Sequence, residues 1–277
     1  MIRFPGLNPI RPPAVAGRFY PINPATLSTM IDSFVDHTFV PGPAIGVIVP
    51  HAGYIYSGHV AGAIYTRVVV PSRTIILCPN HTGFGVPLSI MSRGAWQTPL
   101  GSLHIDSEMA DALMSANPGL EEDFEAHRQE HAIEVQLPFV QRSQHGHDTR
   151  FVPITVGVSG WDALERLGKS IAETILRIDR TTLIIASSDM NHYESDAVTR
   201  VKDARAIEPI LKLEAKALHE IVRRENISMC GAGPAAAMIV ASKILGATQA
   251  ELVKYATSAE VSEDFNRVVG YAGVIVS

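Results

Sequence analysis

Three short apolar runs along this chain each lead into a histidine, and that pattern organises the rest. Ala44–Val49 (AIGVIV) stops at Pro50-His51-Ala52-Gly53, with a helical pattern resuming at Ser57. Thr74–Pro79 (TIILCP) runs into Asn80-His81-Thr82-Gly83, and Leu183–Ala186 (LIIA) into Ser187-Ser188-Asp189-Met190-Asn191-His192. Unbroken apolar runs of this length read as strands covered on both faces, and α/β folds bind ligands beyond the carboxyl ends of such strands. Helical periodicity fills the intervals. Asn23-Pro24 opens a helix striped by Leu27, Met30, Ile31 and Phe34, and Pro41–Pro43 closes it off from the first core strand. Val60–Val70 reads as a buried helix whose Ala61, Gly62 and Ala63 permit close packing on a sheet.

Further on, Ser107 is expected to cap a helix through Met114, and His131–Val140 has helical spacing with a kink or end at Pro138. Trp161–Ile178 is amphipathic, Ala204–Glu225 reads as one helix, and the turn Cys230–Pro234 precedes a small-residue helix over Ala235–Leu245. Leu88–Met91, Phe151–Val156, Glu251–Thr257 and Tyr271–Val276 read as strands, Gly94–Ile105 as an irregular or hairpin segment, and Arg11–Pro21 as an extended segment lying on the body. Strands alternating with helices, without repeat or linker, predict one layered α/β domain over residues 1–277.

Composition narrows the function classes. With 277 residues, 46% of them hydrophobic, the chain has ample material for a full core. The net charge of -5 comes without any run of clustered Lys/Arg, which argues against nucleic acid as a partner. Apolar runs are too short and interrupted for a membrane-spanning helix, no signal peptide opens the chain, and two cysteines make no disulfide framework; a cytoplasmic location is the expectation. No GxGxxG, P-loop or Gly-x-Ser-x-Gly pattern is present, so neither a nucleotide nor a serine nucleophile is implied.

Histidine is a common ligand for transition metals, and His51, His81 and His192 all sit where strand-end loops converge, which points to a mononuclear metal site. The plainer alternative is that each imidazole caps a strand end by hydrogen bonding. Asp189, three residues before His192, can ligate or orient an imidazole. Cys230, in a glycine-flanked turn, could present a thiolate, a donor suited to copper(I), zinc or iron. His131 and Glu134 lie one helical turn apart and can act as acid–base partners or remain a helix-surface pair. His127 is expected to face solvent behind an acidic loop, as are His145, His147 and His219. His59 is expected to pack or cap behind the first loop, and Cys78 to be a small core residue. Of Tyr54 and Tyr56, one can face the cleft while the other packs.

The segments PAVAGRFYP (13–21), VPHAGYIYSG (49–58), CPNH (78–81), EHAIEVQLPF (130–139), SSDMNH (187–192) and CGAGP (230–234) together resemble the Memo family, in order and over nearly the whole chain. The resemblance implies a fold like that of class III extradiol ring-cleaving dioxygenases, an α/β sandwich around a central, mostly parallel sheet with one metal cleft. It places the metal on His51, His81 and Cys230, with Asp189, His192, His131 and Glu134 around the same cleft. It thereby favours Cys230 over His192 as third ligand. It further implies bound iron(II) or copper, with zinc as another option, and redox or dioxygenase-like activity on an unknown small molecule or peptide. A radical-SAM protein is the pathway partner it suggests, and a non-catalytic peptide-binding adaptor is the other role. Asn80 stands where the family pattern has serine, which weakens any role for a hydroxyl there.

Overall fold

The structure, a computed structural model, describes residues 9–143 and 148–277; His145 and His147 lie outside them. In chain order the elements are β1 (Ile10–Arg11), α1 (Pro24–Phe34), β2 (Gly46–Val49), α2 (Tyr54–Arg67), β3 (Arg73–Pro79), β4 (Leu88–Ile90), β5 (Ala95–Thr98) and β6 (Gly101–His104). Next come α3 (Ser107–Ala116), β7 (Glu121–Glu122), α4 (Glu125–Arg128), α5 (Leu137–Arg142), β8 (Arg150–Val156), α6 (Trp161–Ile178), β9 (Leu183–Ser187) and β10 (His192–Glu194). The remainder is α7 (Asp196–Leu211), α8 (Ala215–Arg224), α9 (Ala232–Ile244), β11 (Ala250–Thr257), α10 (Ala259–Ser262) and β12 (Val268–Val276).

The main sheet runs β10-β12-β2-β9-β3-β8-β4-β7, with β11 added to β12, and β1, β5 and β6 form a small second sheet. Only the middle is uniformly parallel: β2, β9, β3 and β8 run the same way, whereas β12 joins β2, and β4 joins β8, antiparallel. The expectation of a mostly parallel sheet therefore holds for its centre, and the whole is mixed. Both faces of that centre are covered. Val47, Val49, Ile76 and Ile185 pack on one side beneath α1, α2 and α5; Ile48, Ile75, Leu77 and Ile184 pack on the other beneath α3, α6 and α9. This two-sided burial is why the central strands read as continuous apolar runs rather than alternating ones.

Three local expectations are corrected. Asp106, not Ser107, caps α3, its carboxylate accepting the Met109 amide at 3.1 Å. Ala204–Glu225 is two helices, because Leu213 adopts φ +57° and the amides of Leu213 and Glu214 turn back to Ile210 and Pro209, a left-handed terminus that ends α7. In α2, which packs on the sheet, Gly62 makes its close approach to a helix instead: a Cβ there, or on Gly58, would collide with Phe34 of α1. Among the described residues, no helix is long and apolar enough to cross a membrane.

The topology decides where the chemistry gathers. Strands β2, β9 and β3 are consecutive neighbours, with Val49 paired to Ser187 and Leu77 to Ala186. The residues just beyond their carboxyl ends, His51, Asp189 and His81, must then emerge side by side at one sheet edge.

Candidate metal centre

A hollow of about 620 Å³ opens at that edge, lined by Phe19, His51, Ala52, Gly53, His81, His131, Asp189, His192, Tyr193, Ser228, Cys230 and Val269. The donor atoms of His51, His81 and Cys230 lie within 4.8 Å of one another, and Cys230 Sγ is 3.2 Å from His51 Nε2. Donors bound to one tetrahedral ion at ordinary lengths are separated by roughly 3.4–3.8 Å, so small side-chain shifts bring this trio to ligating geometry.

The surroundings orient each imidazole. The Ser187 hydroxyl donates to the Ala132 carbonyl (2.6 Å), so at 3.0 Å from His51 Nδ1 it accepts, fixing the proton on Nδ1 and leaving the Nε2 lone pair facing Cys230. Gln136 holds Ser187 in place, donating to its hydroxyl at 2.9 Å and to the Pro50 carbonyl at 2.9 Å. His81 donates Nδ1–H to Glu130 Oε1 (2.9 Å), and Glu130 Oε2 also accepts the His81 amide (2.6 Å). His192 donates Nδ1–H to the Ser228 carbonyl at 2.8 Å. Nδ1 tied back and Nε2 free is the arrangement of a metal-ligating histidine held by an outer hydrogen-bond partner.

Electrostatics favour the neutral imidazole at His51 and His131, but not at His81. Burial, reinforced by the charge of His81, pushes His51 down to about 3, and burial with the charge of His51 takes His131 to about 4. For His81, burial works downward too, but the Glu130 hydrogen bond and charge outweigh it and its pKa is raised. Glu130 is held down to about 2: burial pushes it up, and the His81 hydrogen bond and charge overcome that. Burial, then the charge of Asp189, raises the Cys230 thiol above its ordinary range.

Cys230 reaches the hollow because the next residue is glycine. A Cβ at Gly231 would sit 2.6 Å from the Ser187 carbonyl oxygen, too close to tolerate, so only a bare Cα lets this turn lie against β9. Helix α9 starts directly afterwards.

A family profile described as "Memo-like protein" matches residues 11–275. The chain belongs to the Memo family. It is 45% identical to a MEMO1 family protein of Methanopyrus kandleri over 278 residues, covering 96% of this chain and 98% of the relative. It is 42% identical to one of Methanothermobacter thermautotrophicus (95% and 99% covered) and 41% identical to one of Pyrobaculum arsenaticum (96% and 98%).

Within this Memo chain, the residues singled out from sequence do not all converge. His51, His81, Cys230, Asp189, His192 and His131 line the hollow; Glu134 does not. Glu134 is fully buried on the far side of its turn, where it accepts from Arg11, the Tyr20 hydroxyl and the amides of Ala14 and Val15. The segment at 131–133 is a turn rather than a helix, so the one-turn spacing to His131 does not put both on one face. Among the described residues Asp189 accepts no hydrogen bond from an imidazole; its carboxylate accepts the His51 backbone amide at 2.8 Å. Neither Tyr54 nor Tyr56 is among the lining residues, and Tyr54 donates to the Val135 carbonyl at 2.6 Å. Asn80 shapes its own loop, accepting from Gly83 and Thr82 and donating to Phe84.

His127 is the other correction: it is fully buried, wedged between the hydroxyls of Ser89 and Thr155 at 3.1 Å each. Burial, with help from the Arg11 charge, pushes it down to about 3. The unfolded chain takes this proton near 6.5 and the folded one only near 3, so stability falls as pH drops from about 6.5 toward 3. Urea midpoints of the metal-free protein are expected to decline across that window, and His127→Gln to flatten part of the decline.

Glu130 was missed at the sequence level, although it stands directly before His131. Its signals were an acidic residue beside a histidine, in a stretch rich in exposed acids, and its place at the head of the EHAIEVQLPF segment. Glu130→Gln keeps the shape but removes the charge that orients and polarises His81. Metal affinity in the variant is expected to fall about 10–100-fold, read by competitive titration with a chromophoric chelator.

Proposed function

We propose that the hollow holds one metal ion on His51 Nε2, His81 Nε2 and the Cys230 thiolate, and that the protein is a non-haem metal protein with redox chemistry on a small-molecule substrate. The observation that carries this reading is the convergence of three donors, two of them imidazoles whose other nitrogen is already tied back. Iron(II) or copper suits a site of two imidazoles and one thiolate, and zinc suits it as well. When bound, such an ion supplies open coordination positions and Lewis-acid or redox chemistry. The chain's own contribution is orientation and proton handling. His131, neutral near pH 7, lines the hollow with its ring stacked on that of His81, and His192 lines it too, its Nδ1 tied back to Ser228; both are placed to exchange protons with a bound ligand. The Cys230 thiol must lose its proton on binding, and so must His81 where its raised pKa leaves it protonated, whereas His51 has none to lose, so at least one proton is expected to leave per ion.

The likeness in fold to class III extradiol dioxygenases belongs to this proposal too. Those enzymes use two histidines and a carboxylate around iron, and Cys230 replaces the carboxylate here, so the reaction need not be ring cleavage. A second reading, a peptide-binding adaptor, draws support from the mouth of the hollow, where Tyr193 is 65% exposed. The deciding experiment is elemental analysis with anaerobic iron(II) titration of the wild type and Cys230→Ser, followed by oxygen uptake by the loaded protein. Stoichiometric binding weakened in Cys230→Ser supports the centre, and undiminished affinity in that variant removes Cys230 from it. Peptide binding that survives His51→Ala and His81→Ala would favour the adaptor.

A further inference from the structure

Next to His192 in the chain, and bonded to the segment that carries Cys230, is a buried side chain that the proposed centre does not use. Asn191 is fully buried, and its amide is bonded at both ends. Its Oδ1 accepts the Ser228 amide and the Ser228 hydroxyl, each at 3.0 Å, while Nδ2 donates to Glu194 at 2.7 Å and to Thr199 at 3.3 Å. Its backbone is fixed as firmly, the N–H donating to Asp203 at 2.8 Å and the carbonyl accepting from Gly270 at 2.9 Å. Asp203, itself fully buried, is held in turn by the Tyr255 hydroxyl at 2.7 Å.

Ser228 returns these bonds to the neighbouring histidine. Its hydroxyl accepts the His192 amide at 2.7 Å and its carbonyl accepts His192 Nδ1–H at 2.8 Å. Two residues further along the same segment is Cys230, whose sulfur receives the Asp189 amide at 3.3 Å. A second, independent sign is the backbone. Tyr193 adopts φ +63°, and the pairing of β10 with β12 slips register between His192 and Glu194. A left-handed tyrosine is strained, and such strain persists only where its surroundings over-determine it. Asn191 spans this irregularity, bonded to Glu194 on one side and to Ser228 on the other.

We infer that Asn191 is a positioning residue: it clamps the His192 strand to the Ser228–Cys230 segment and so sets where His192 and Cys230 stand relative to each other in the hollow. Its bearing on chemistry rests on the metal reading above, but the clamp itself is a property of the metal-free chain. Asn191→Ala removes the bridge outright. Ser228→Ala removes only the hydroxyl that links Asn191 to the His192 amide, and serves if the first variant does not fold.

The test begins with metal-free protein. Cys78 is fully buried, so iodoacetamide reports on Cys230. Alkylation is expected to speed up several-fold in Asn191→Ala and less in Ser228→Ala. The ¹⁵N-imidazole signal of a protonated His192 Nδ1, sharp in wild type, is expected to exchange-broaden or shift. Cobalt(II) titration then reads the site, with a weakened thiolate charge-transfer band and affinity down by about 10-fold. If wild-type protein binds no cobalt, the metal reading fails, while alkylation and imidazole signals still judge the clamp. Folded variants that keep wild-type alkylation rates and His192 signals would overturn it, including the case in which only the unfolding midpoint drops.

Discussion

His51→Ala and His81→Ala are each expected to lose iron(II) or cobalt(II) binding by more than about 100-fold, beyond what loss of an outer hydrogen-bond partner costs. The reason is geometric. Each variant leaves two donors of the trio that lies within 4.8 Å, and a pair of ligands in a hollow open to water competes poorly with hydration. His51→Ala also removes a buried imidazole that is already neutral, so the loss does not arise from disturbing a charge balance. Fold is expected to survive, because the partner of Nδ1, Ser187, keeps its bonds to Ala132 and Gln136, and the partner of Nε2, Cys230, keeps the Asp189 amide. Circular dichroism together with anaerobic titration checks both statements; retention of wild-type affinity in either variant would remove that histidine from the site.

Arg11→Ala and Glu134→Ala should each destabilise the protein by about 3–5 kcal/mol, because either one strands a buried opposite charge. Both side chains are fully buried and meet at 2.7 Å. The guanidinium also donates to the carbonyls of His127 (2.6 Å) and Glu130 (2.7 Å) and lies 4.0 Å over the Trp96 ring. Glu134 gathers the amides of Ala14 and Val15 and the Tyr20 hydroxyl, which ties the amino-terminal segment to the body. The pair is therefore a staple, and it has a functional consequence. It grips the backbone on which Glu130 and His131 are carried to the hollow, so metal affinity is expected to drop alongside the urea midpoint. The double variant Arg11→Met/Glu134→Leu, leaving no lone charge, should recover a large part of the stability. If the double variant is as unstable as the sum of the singles, the pairing is not what the two residues contribute.

Much of the architecture was legible because it depends on short-range rules. Asn23 caps α1 where the Asn-Pro pair predicted a start, its side chain accepting the Thr26 amide at 3.0 Å. Trp161–Ile178 is the helix its apolar stripe described. His127 was misplaced because a polar residue near acidic neighbours looks solvent-facing in one dimension, and Glu134 because a helical turn was expected after His131 where the chain makes a non-helical one. A buried polar group is stable wherever partners saturate it, and those partners came from 38 residues away in Ser89 for His127 and 123 away in Arg11 for Glu134.

What the chain settled alone is that apolar strands end in histidines, since the run of side chains buried on both faces is written residue by residue and stops where solvent or a ligand begins. Which of those histidines meet was decided by strand order. β2, β9 and β3 became neighbours, bringing His51 and His81 within reach of each other. The turn at Gly231 then added Cys230, leaving His192 on the wall. Orientation came last and from farthest away: Ser187, Glu130 and Ser228 each hold one ring by a hydrogen bond, and a bond whose strength depends on tenths of an ångström between distant segments exists only once the fold has closed.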